Sequence, residues 1–379
     1  MPIKLGVVGL SKNGGAWASM ALVPPLFEEP LKSEYTLTAL STSSADSASA
    51  SAEHFGAAAG AKVKPYSSAT DAIASDTDVE MVAVSVKAPS HLAAALPIIN
   101  AGKDIFVEWP AGKNLEETRQ LAQRAKEKNV RSMVGLQGWQ TPLVKKVKQL
   151  VESGRIGKVT SSTWVAYKLP AVPYWYPFTA ASHLYTLDPE QGGALADIWI
   201  GHNLSMISRA LGPLTTINAS AVKTVSEIVV GPAPGAKLGD EGVYTVPAQA
   251  PDQYGVSGVF TSGALFVGSW RALSGGPFGG PALLWTIDGT DGQIRVESEV
   301  PTAGFPQIFA PSELFVNGER VDLAEENEGM PMTGRAWAEF AKGAEGEYPT
   351  LDDALLLRKQ VEAIKVAAET GNRVQVSSI

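Results

Sequence analysis

The chain has no cysteine among its 379 residues, which excludes disulfides, thiolate metal sites and a cysteine nucleophile. Histidine is scarce: the four present stand at 54, 91, 183 and 202, and no two have the i, i+4 spacing with which a helix offers a pair of zinc ligands. A metal enzyme is therefore not expected. Positive charge is also short, with 31 Lys and Arg against 39 Asp and Glu and a formal net charge of −8. Phosphate backbones are held by clustered cations, so direct nucleic-acid binding is disfavoured. No window reaches the length of a membrane span, and the amino terminus enters a strand-forming run directly after Met-Pro, without the basic and apolar segments of a secretion signal. These absences point to a cytoplasmic protein that takes neither nucleic acid nor membrane as a partner.

What the chain has is apolar residues, 45% of the total against 18% charged, enough to bury a large core. A length of 379 residues exceeds what one core usually serves, so two domains are expected. The first half alternates strand and helix patterns. Residues 3–9 form an apolar strand-like run followed by Leu-Ser-Lys-Asn-Gly-Gly-Ala-Trp-Ala. Small residues at Gly9, Ser11, Gly14 and Gly15 let backbone approach a ligand closely where a helix begins, in the manner of a dinucleotide-binding loop with Ser11 in place of its middle glycine. The next strand, 35–40, ends in Ser41, Thr42, Ser43 and Ser44. An NAD site usually places an acid there for the ribose 2′-hydroxyl, so its absence favours NADP, with NAD still possible.

Residues 47–61 read as a helix, 79–86 as a strand ending at Val86 and Lys87, and 92–100 as a helix that begins beside His91. Lys87 has the reach to meet a ribose or a phosphate, while His91 suits a capping or packing role. The stretch around which the rest is organised is 105–110, Ile-Phe-Val-Glu-Trp-Pro. Proline cannot donate to a sheet ladder, so this strand stops at Glu108 and Trp109, and Asn114 caps the helix that follows. In an open parallel sheet ligands bind beyond the carboxyl ends of the strands, where Glu108 and Trp109 stand. The pattern to about residue 137 is that of a doubly wound parallel sheet.

Beyond 137 a helix at 141–153 precedes long strand-like runs at 159–167, 215–230, 253–272, 282–298 and 312–322, with Asn317-Gly318 among the turn signals. This half reads as an open, mostly antiparallel sheet spanning 138–349, interrupted by one helix at about 196–211. Residues 170–188 form a proline-punctuated aromatic loop, suited to closing over a ligand, to an oligomer contact or to packing on its own sheet. Gly/Pro-rich surface excursions are expected at 232–251 and 274–281. An amphipathic helix at about 350–371 closes the chain and is expected to pack back on the nucleotide domain.

Taken in order, these motifs resemble the glucose–fructose oxidoreductase, inositol dehydrogenase and rhizopine-catabolism (Gfo/Idh/MocA) family, and within it the fungal branch of galactose-regulon repressors. The residues that carry the resemblance are Val8-Gly9-Leu10 with Gly15 and Trp17-Ala18, Phe106-Val107-Glu108-Trp109, Leu136-Gln137-Gly138, Gly201-His202, and Tyr348-Pro349-Thr350-Leu351 with Asp353-Ala354-Leu355. The resemblance implies cofactor contacts at Gly9, Ser11, Gly14, Gly15, the turn Ser41 to Ser44, Val86, Lys87, His91, Glu108 and Trp109, and a cis bond between Trp109 and Pro110.

Two departures stand out. Family dehydrogenases carry Glu-Lys-Pro where this chain has Glu108-Trp109-Pro110, and an indole cannot carry a proton as a lysine does. The family's helix motif pairs a histidine with an aspartate three residues on; here His202 remains but Ser205 follows it. His202 is the remaining titrating candidate, with Tyr167 and Tyr185 as alternative proton carriers. The resemblance supports an NAD(P)-dependent oxidoreductase acting on a sugar-like or cyclic small molecule. The departures support a nucleotide-binding regulator that binds a protein activator without catalysis, and a redox-neutral enzyme that keeps its nicotinamide bound is a third reading. The open sheet face and the family's habit imply a homodimer or higher homo-oligomer.

Overall fold

The computed structural model describes all residues except 69, 169–171, 233–235, 273–279, 309–311 and 324–328. The excursion expected at 274–281 therefore lies almost wholly outside the described residues. The chain groups into two units, residues 1–140 with 329–355 and residues 141–328 with 356–379.

In the first unit, β1 (Ile3–Val8), β2 (Tyr35–Thr42), β3 (Lys64–Ser67), β4 (Met81–Val84), β5 (Asp104–Glu108) and β6 (Ser132–Gly135) form one sheet in the order β3-β2-β1-β4-β5-β6. Every pairing is parallel. The four residues of β4 are all buried, which is why it reads as an unbroken apolar run: a parallel strand covered on both faces has no polar side to alternate with. The connecting helices are α1 (Leu31–Glu34), α2 (Ala45–Ala59), α3 (Asp71–Ser75), α4 (His91–Asn100) and α5 (Leu115–Lys128). Asn114 caps α5 by accepting the Glu117 N–H at 2.9 Å, and Ser44 caps α2 by accepting the Ser47 N–H at 3.3 Å. Strand order reverses between β1 and β4, so a crevice is expected at their carboxyl ends.

The second unit opens with α6 (Pro142–Glu152), capped by the Thr141 hydroxyl, which accepts the Val144 N–H at 3.2 Å. Next come β7 (Val159–Lys168), β8 (Phe178–Ala180) and α7 (Gly201–Leu211). The strands that follow are β9 (Leu214–Val222), β10 (Glu227–Gly231), β11 (Tyr244–Pro247), β12 (Gln253–Phe260), β13 (Leu265–Ala272), β14 (Leu283–Gly289), β15 (Gln293–Ser298), β16 (Glu313–Val316), β17 (Glu319–Val321) and β18 (Val374–Gln375). They form a nine-stranded, mostly antiparallel sheet, β17-β16-β15-β14-β7-β13-β12-β9-β18, and a small sheet, β11-β10-β8. Trp270 of β13 is fully buried and donates from Nε1 to Asn203 Oδ1 of α7 at 2.9 Å, which fixes the sheet face that α7 covers. A buried ion pair, Arg358 Nη1 to Asp197 Oδ1 at 2.6 Å, holds the closing helix α9 (Leu351–Thr370) onto the turn before α7.

The structure departs from the sequence reading at three places. The run 215–230 is two strands, β9 and β10, in different sheets. A second helix, α8 (Met332–Ala341), interrupts 138–349, and it belongs to the first unit: Trp337 Nε1 donates to the Leu22 carbonyl at 2.9 Å, and the Tyr35 hydroxyl donates to the Trp337 carbonyl at 2.7 Å. In α9, residues 351–355 group with the first unit and 356–370 with the second, where Arg358 finds Asp197. No helix among the described residues is long and apolar enough to cross a membrane.

Candidate functional site

The carboxyl ends of β2, β1 and β4 are tied together through Gly9. Its N–H donates to the Ser41 carbonyl at 2.8 Å, and the Ser85 N–H donates to the Val8 carbonyl at 3.0 Å. Gly9 sits at φ +96°, and a Cβ there would stand 2.2 Å from the Ser85 carbonyl oxygen, so only glycine lets the two strand ends approach. Gly14 and Gly15 differ from it. At φ +73° and +74° they shape the turn, yet an added Cβ would meet nothing within 4 Å. The loop thus presents backbone to open space, which is what close approach of a phosphate requires.

The helix expected at this loop is shorter than a dinucleotide fold usually supplies. Ala18–Leu22 is a single π-helical turn, followed at once by a 3₁₀ turn at Pro24–Phe27, because the proline pair cannot supply the amides that would continue it. Ser11 is spent on the loop itself: its hydroxyl accepts the Asn13 N–H at 3.3 Å and its carbonyl accepts the Ser19 hydroxyl at 2.5 Å. The backbone N–H of Lys12 donates to Ser51 Oγ on α2 at 3.1 Å, laying an exposed lysine against the helix that follows the serine turn. Within that turn Ser41 is buried, the Thr42 hydroxyl donates to the Ser44 carbonyl at 3.0 Å, Ser44 caps α2, and Ser43 is exposed. The first acid beyond it is Asp46, in the first turn of α2.

On the other side of β1, Val86 and Lys87 follow β4, Val86 half-buried and Lys87 exposed. His91 is 1% exposed and lies between two backbone carbonyls, with Nδ1 2.7 Å from Pro110 O and Nε2 3.0 Å from Val86 O. Burial pushes its pKa below the ordinary value, and the two carbonyls oppose that. A neutral imidazole donates from one ring nitrogen only, so one of these two contacts is its hydrogen bond, and the ring packs between the loops after β4 and β5. The Trp109–Pro110 bond is cis, and the Trp109 side chain is buried.

Glu108 ends β5 opposite Gly135 of β6, and its carboxyl group lies against that glycine: a Cβ on Gly135 would stand 2.2 Å from Glu108 Oε2. Burial pushes the Glu108 carboxyl up to about 8, against hydrogen bonds from the Trp17 side chain and the Trp109 backbone N–H. Its Oε1 is buried with no hydrogen-bond partner. The orphaned carboxyl oxygen is a hydrogen-bond acceptor left open at the carboxyl end of β5, a position suited to a ligand that brings a donor or a local positive charge.

The proton-carrying candidates stand in the second unit. The Arg271 guanidinium donates to the Tyr167 hydroxyl and also lies 4.5 Å over the tyrosine ring. Along β7 the side chains alternate, and Ala166 pairs in register with Trp270, which faces α7. Tyr167 therefore points to the sheet face opposite α7, and the structure separates it from His202. His202 itself is buried on α7, its Nδ1 has no partner, and burial pushes its pKa down to about 4, which leaves it neutral at pH 7. Ser205, on the next turn of α7, is buried as well. Burial raises Tyr185 to about 12, and its ring packs on Gly193.

The aromatic loop packs on its own unit. Trp175 Nε1 donates to the Gly193 carbonyl at 2.9 Å, and Trp175 and Trp199 both stack on Phe305, with ring centroids 6.5 and 5.3 Å from it.

Sequence reasoning passed over Lys168. This lysine at the end of β7 is fully buried, donates to the Tyr176 carbonyl at 2.8 Å, and is pushed down to about 7 by burial alone. The signal was its place in the alternation: Trp164, Ala166 and Lys168 share the buried side of the strand.

Comparison with known proteins agrees with this architecture. Residues 3–136 match the family model described as an oxidoreductase family with an NAD-binding Rossmann fold, and residues 142–298 match the model of the Gal80p C-terminal domain. Dehydrogenase aclE of Aspergillus oryzae is 30% identical over 374 residues, 97% of each chain. A super-repressor mutant of Gal80p from Saccharomyces cerevisiae superposes with a TM-score of 0.86 at 20% identity, covering 100% of this chain and 99% of that one. Levoglucosan dehydrogenase in complex with NADH and L-sorbose superposes with a TM-score of 0.76 at 21% identity, covering 99% of both chains.

Proposed function

From a chain that belongs to the Gfo/Idh/MocA oxidoreductase family, we propose an NADP-dependent oxidoreductase that passes hydride between the nicotinamide and a carbonyl or hydroxyl carbon of a sugar-like or cyclic small molecule. The observation that carries this reading is the open backbone at Gly14 and Gly15, set at the strand-order reversal of a β3-β2-β1-β4-β5-β6 sheet. Gly9, Ser11, Gly14 and Gly15 take the pyrophosphate side. The turn Ser41 to Ser44 and the neighbouring Lys12 take the adenosine ribose, where a lysine and the lack of an acid within the turn favour a 2′-phosphate over the bare hydroxyl of NAD. Val86, Lys87, Glu108 and Trp109 take the nicotinamide side, and the Trp109 indole gives a ring face for stacking. His91 contributes by holding two of these loops. For the proton that accompanies hydride, buried neutral His202 is the acceptor and Tyr185 the alternative donor. Tyr167, on the sheet face opposite α7, is the third candidate for this proton.

The relatives named as dehydrogenases support the reading. A second reading, a nucleotide-binding regulator without turnover, is favoured by one specific feature: Trp109 stands where a family dehydrogenase carries a proton-shuttling lysine. Steady-state assay with NADPH against a panel of sugar and cyclic carbonyl compounds separates the two. Hydride transfer that drops in His202→Ala supports the enzyme, and none with any compound, despite nucleotide binding, supports the regulator.

A cytoplasmic location and a homo-oligomer complete the proposal. Leu265 and Val267 of β13 are 50% and 42% exposed on a sheet face that α7 does not cover, an apolar surface suited to a second copy. Static light scattering returning a monomer at micromolar concentration contradicts the oligomer.

A further inference from the structure

Glu108 is enclosed by neutral groups. The Trp17 side chain and the Trp109 N–H donate to its carboxyl, Gly135 lies against Oε2, and Oε1 has no partner. No cation is among the groups that act on it. The titratable side chains on the elements around β5 are committed elsewhere. His91 of α4 lies between the Val86 and Pro110 carbonyls, and burial lowers its pKa and favours the neutral ring. Glu117 of α5 accepts the Lys113 N–H at 3.1 Å and stands 3.6 Å from the Lys113 ammonium. Asp104, at the far end of β5, pairs with Arg131 at 2.7 Å, and Lys87 after β4 is exposed. An ionised carboxylate in these surroundings is a buried charge with no compensating partner, and such groups stay protonated.

We propose that Glu108 carries a proton in the nucleotide-free protein and releases it when the oxidised, positively charged nicotinamide binds, so that the site tells oxidised from reduced cofactor by charge. The inference rests on the nucleotide reading of this site. A cationic ring beside the carboxyl supplies the counter-charge that the protein withholds, whereas the uncharged dihydronicotinamide supplies none. With the carboxyl near 8, about three quarters of the free protein carries this proton at a pH of roughly 7.5. Binding of the oxidised form at that pH then releases up to about 0.7 proton more than binding of the reduced form. Protons exchanged by the nucleotide's own phosphates are common to both forms and cancel in the difference.

The test is calorimetric titration of the full chain with NADP⁺ and with NADPH at that pH, in two buffers of different ionisation enthalpy, which yields the number of protons exchanged per site. The expected result is an excess release of about half a proton or more with NADP⁺ that disappears in Glu108→Gln. Equal proton numbers for two nucleotides that both bind overturn the inference and leave the cofactor site standing, as does an excess that persists in Glu108→Gln. Failure of both nucleotides to bind overturns the cofactor site and the inference with it. Infrared spectroscopy of the wild-type protein gives a reading that needs no variant. A protonated-carboxyl carbonyl band in the nucleotide-free protein that NADP⁺ removes and NADPH does not is the expected result, and no such band in the free protein refutes the proposal.

Discussion

Replacing Glu108 with glutamine should make the protein more stable at alkaline pH, an outcome opposite to that expected for an ordinary strand-end carboxylate. Folding raises this carboxyl from an ordinary value of 4.5 to about 8. Between those values the folded protein binds more protons at this site than the unfolded chain, so the contribution of Glu108 is favourable at low pH and is lost as pH rises through about 8. Each tenfold change in proton affinity is worth roughly 1.4 kcal/mol, which sets an upper bound of about 5 kcal/mol above pH 9. Local relaxation and water penetration around an ionised buried carboxylate reduce the expected figure to about 2–3 kcal/mol. Glutamine keeps the shape and carries no charge, so urea unfolding of wild type and Glu108→Gln at pH 5, 7 and 9 isolates this one carboxyl, every other titration being common to both. Stability relative to the variant should fall steadily across the series. A difference that is flat with pH, or that grows in favour of wild type toward pH 9, rules out a carboxyl held protonated by its burial.

Arg358→Ala takes the guanidinium from fully buried Asp197 and leaves it the Lys365 ammonium at 2.6 Å, and should destabilise the protein by about 3 kcal/mol in a denaturant titration. Gly9→Ala drives a methyl to 2.2 Å from the Ser85 carbonyl at φ +96° and should cost about 3 kcal/mol or more, with loss of nucleotide binding measured by fluorescence on whatever fraction folds. By contrast Gly14→Ala, at φ +73° with nothing within 4 Å, should lose only about 1–2 kcal/mol of stability while weakening nucleotide binding at least tenfold, as read by melting and titration together. His202→Ala should lower kcat about 100-fold with little change in KM for the carbonyl substrate.

The strand and helix alternation of the first unit was legible because strands buried on both faces leave uninterrupted apolar runs and because Asn114 caps its helix by local chemistry. The Glu108-Trp109-Pro110 stretch was legible for the same reason: proline marks the end of a strand whatever surrounds it, and the cis bond implied by the family resemblance is present. Other features have causes outside their own segment. The bend that splits 215–230 contains neither glycine nor proline; it is made by Asp252, which accepts the Thr224 N–H at 2.8 Å and the Thr224 hydroxyl at 2.7 Å from 28 residues away. Helix α8 is held by a tryptophan that docks on Leu22 and Tyr35, more than 300 residues distant in sequence. Lys168 reads as a solvated strand end, and its burial follows from the face of the sheet it occupies. The separation of Tyr167 from His202 follows from the same two-residue period, once the register with Trp270 says which face α7 covers.

Whether the crevice at the carboxyl ends of β1, β2, β4 and β5 is a nicotinamide nucleotide site is decided by titrating the protein with NADPH and NADH while following nicotinamide fluorescence and the quenching of tryptophan. Saturable binding of NADPH at micromolar concentration, tighter than that of NADH and weakened in Gly14→Ala, is the expected outcome. Absence of saturable binding by either nucleotide means that the crevice is not such a site.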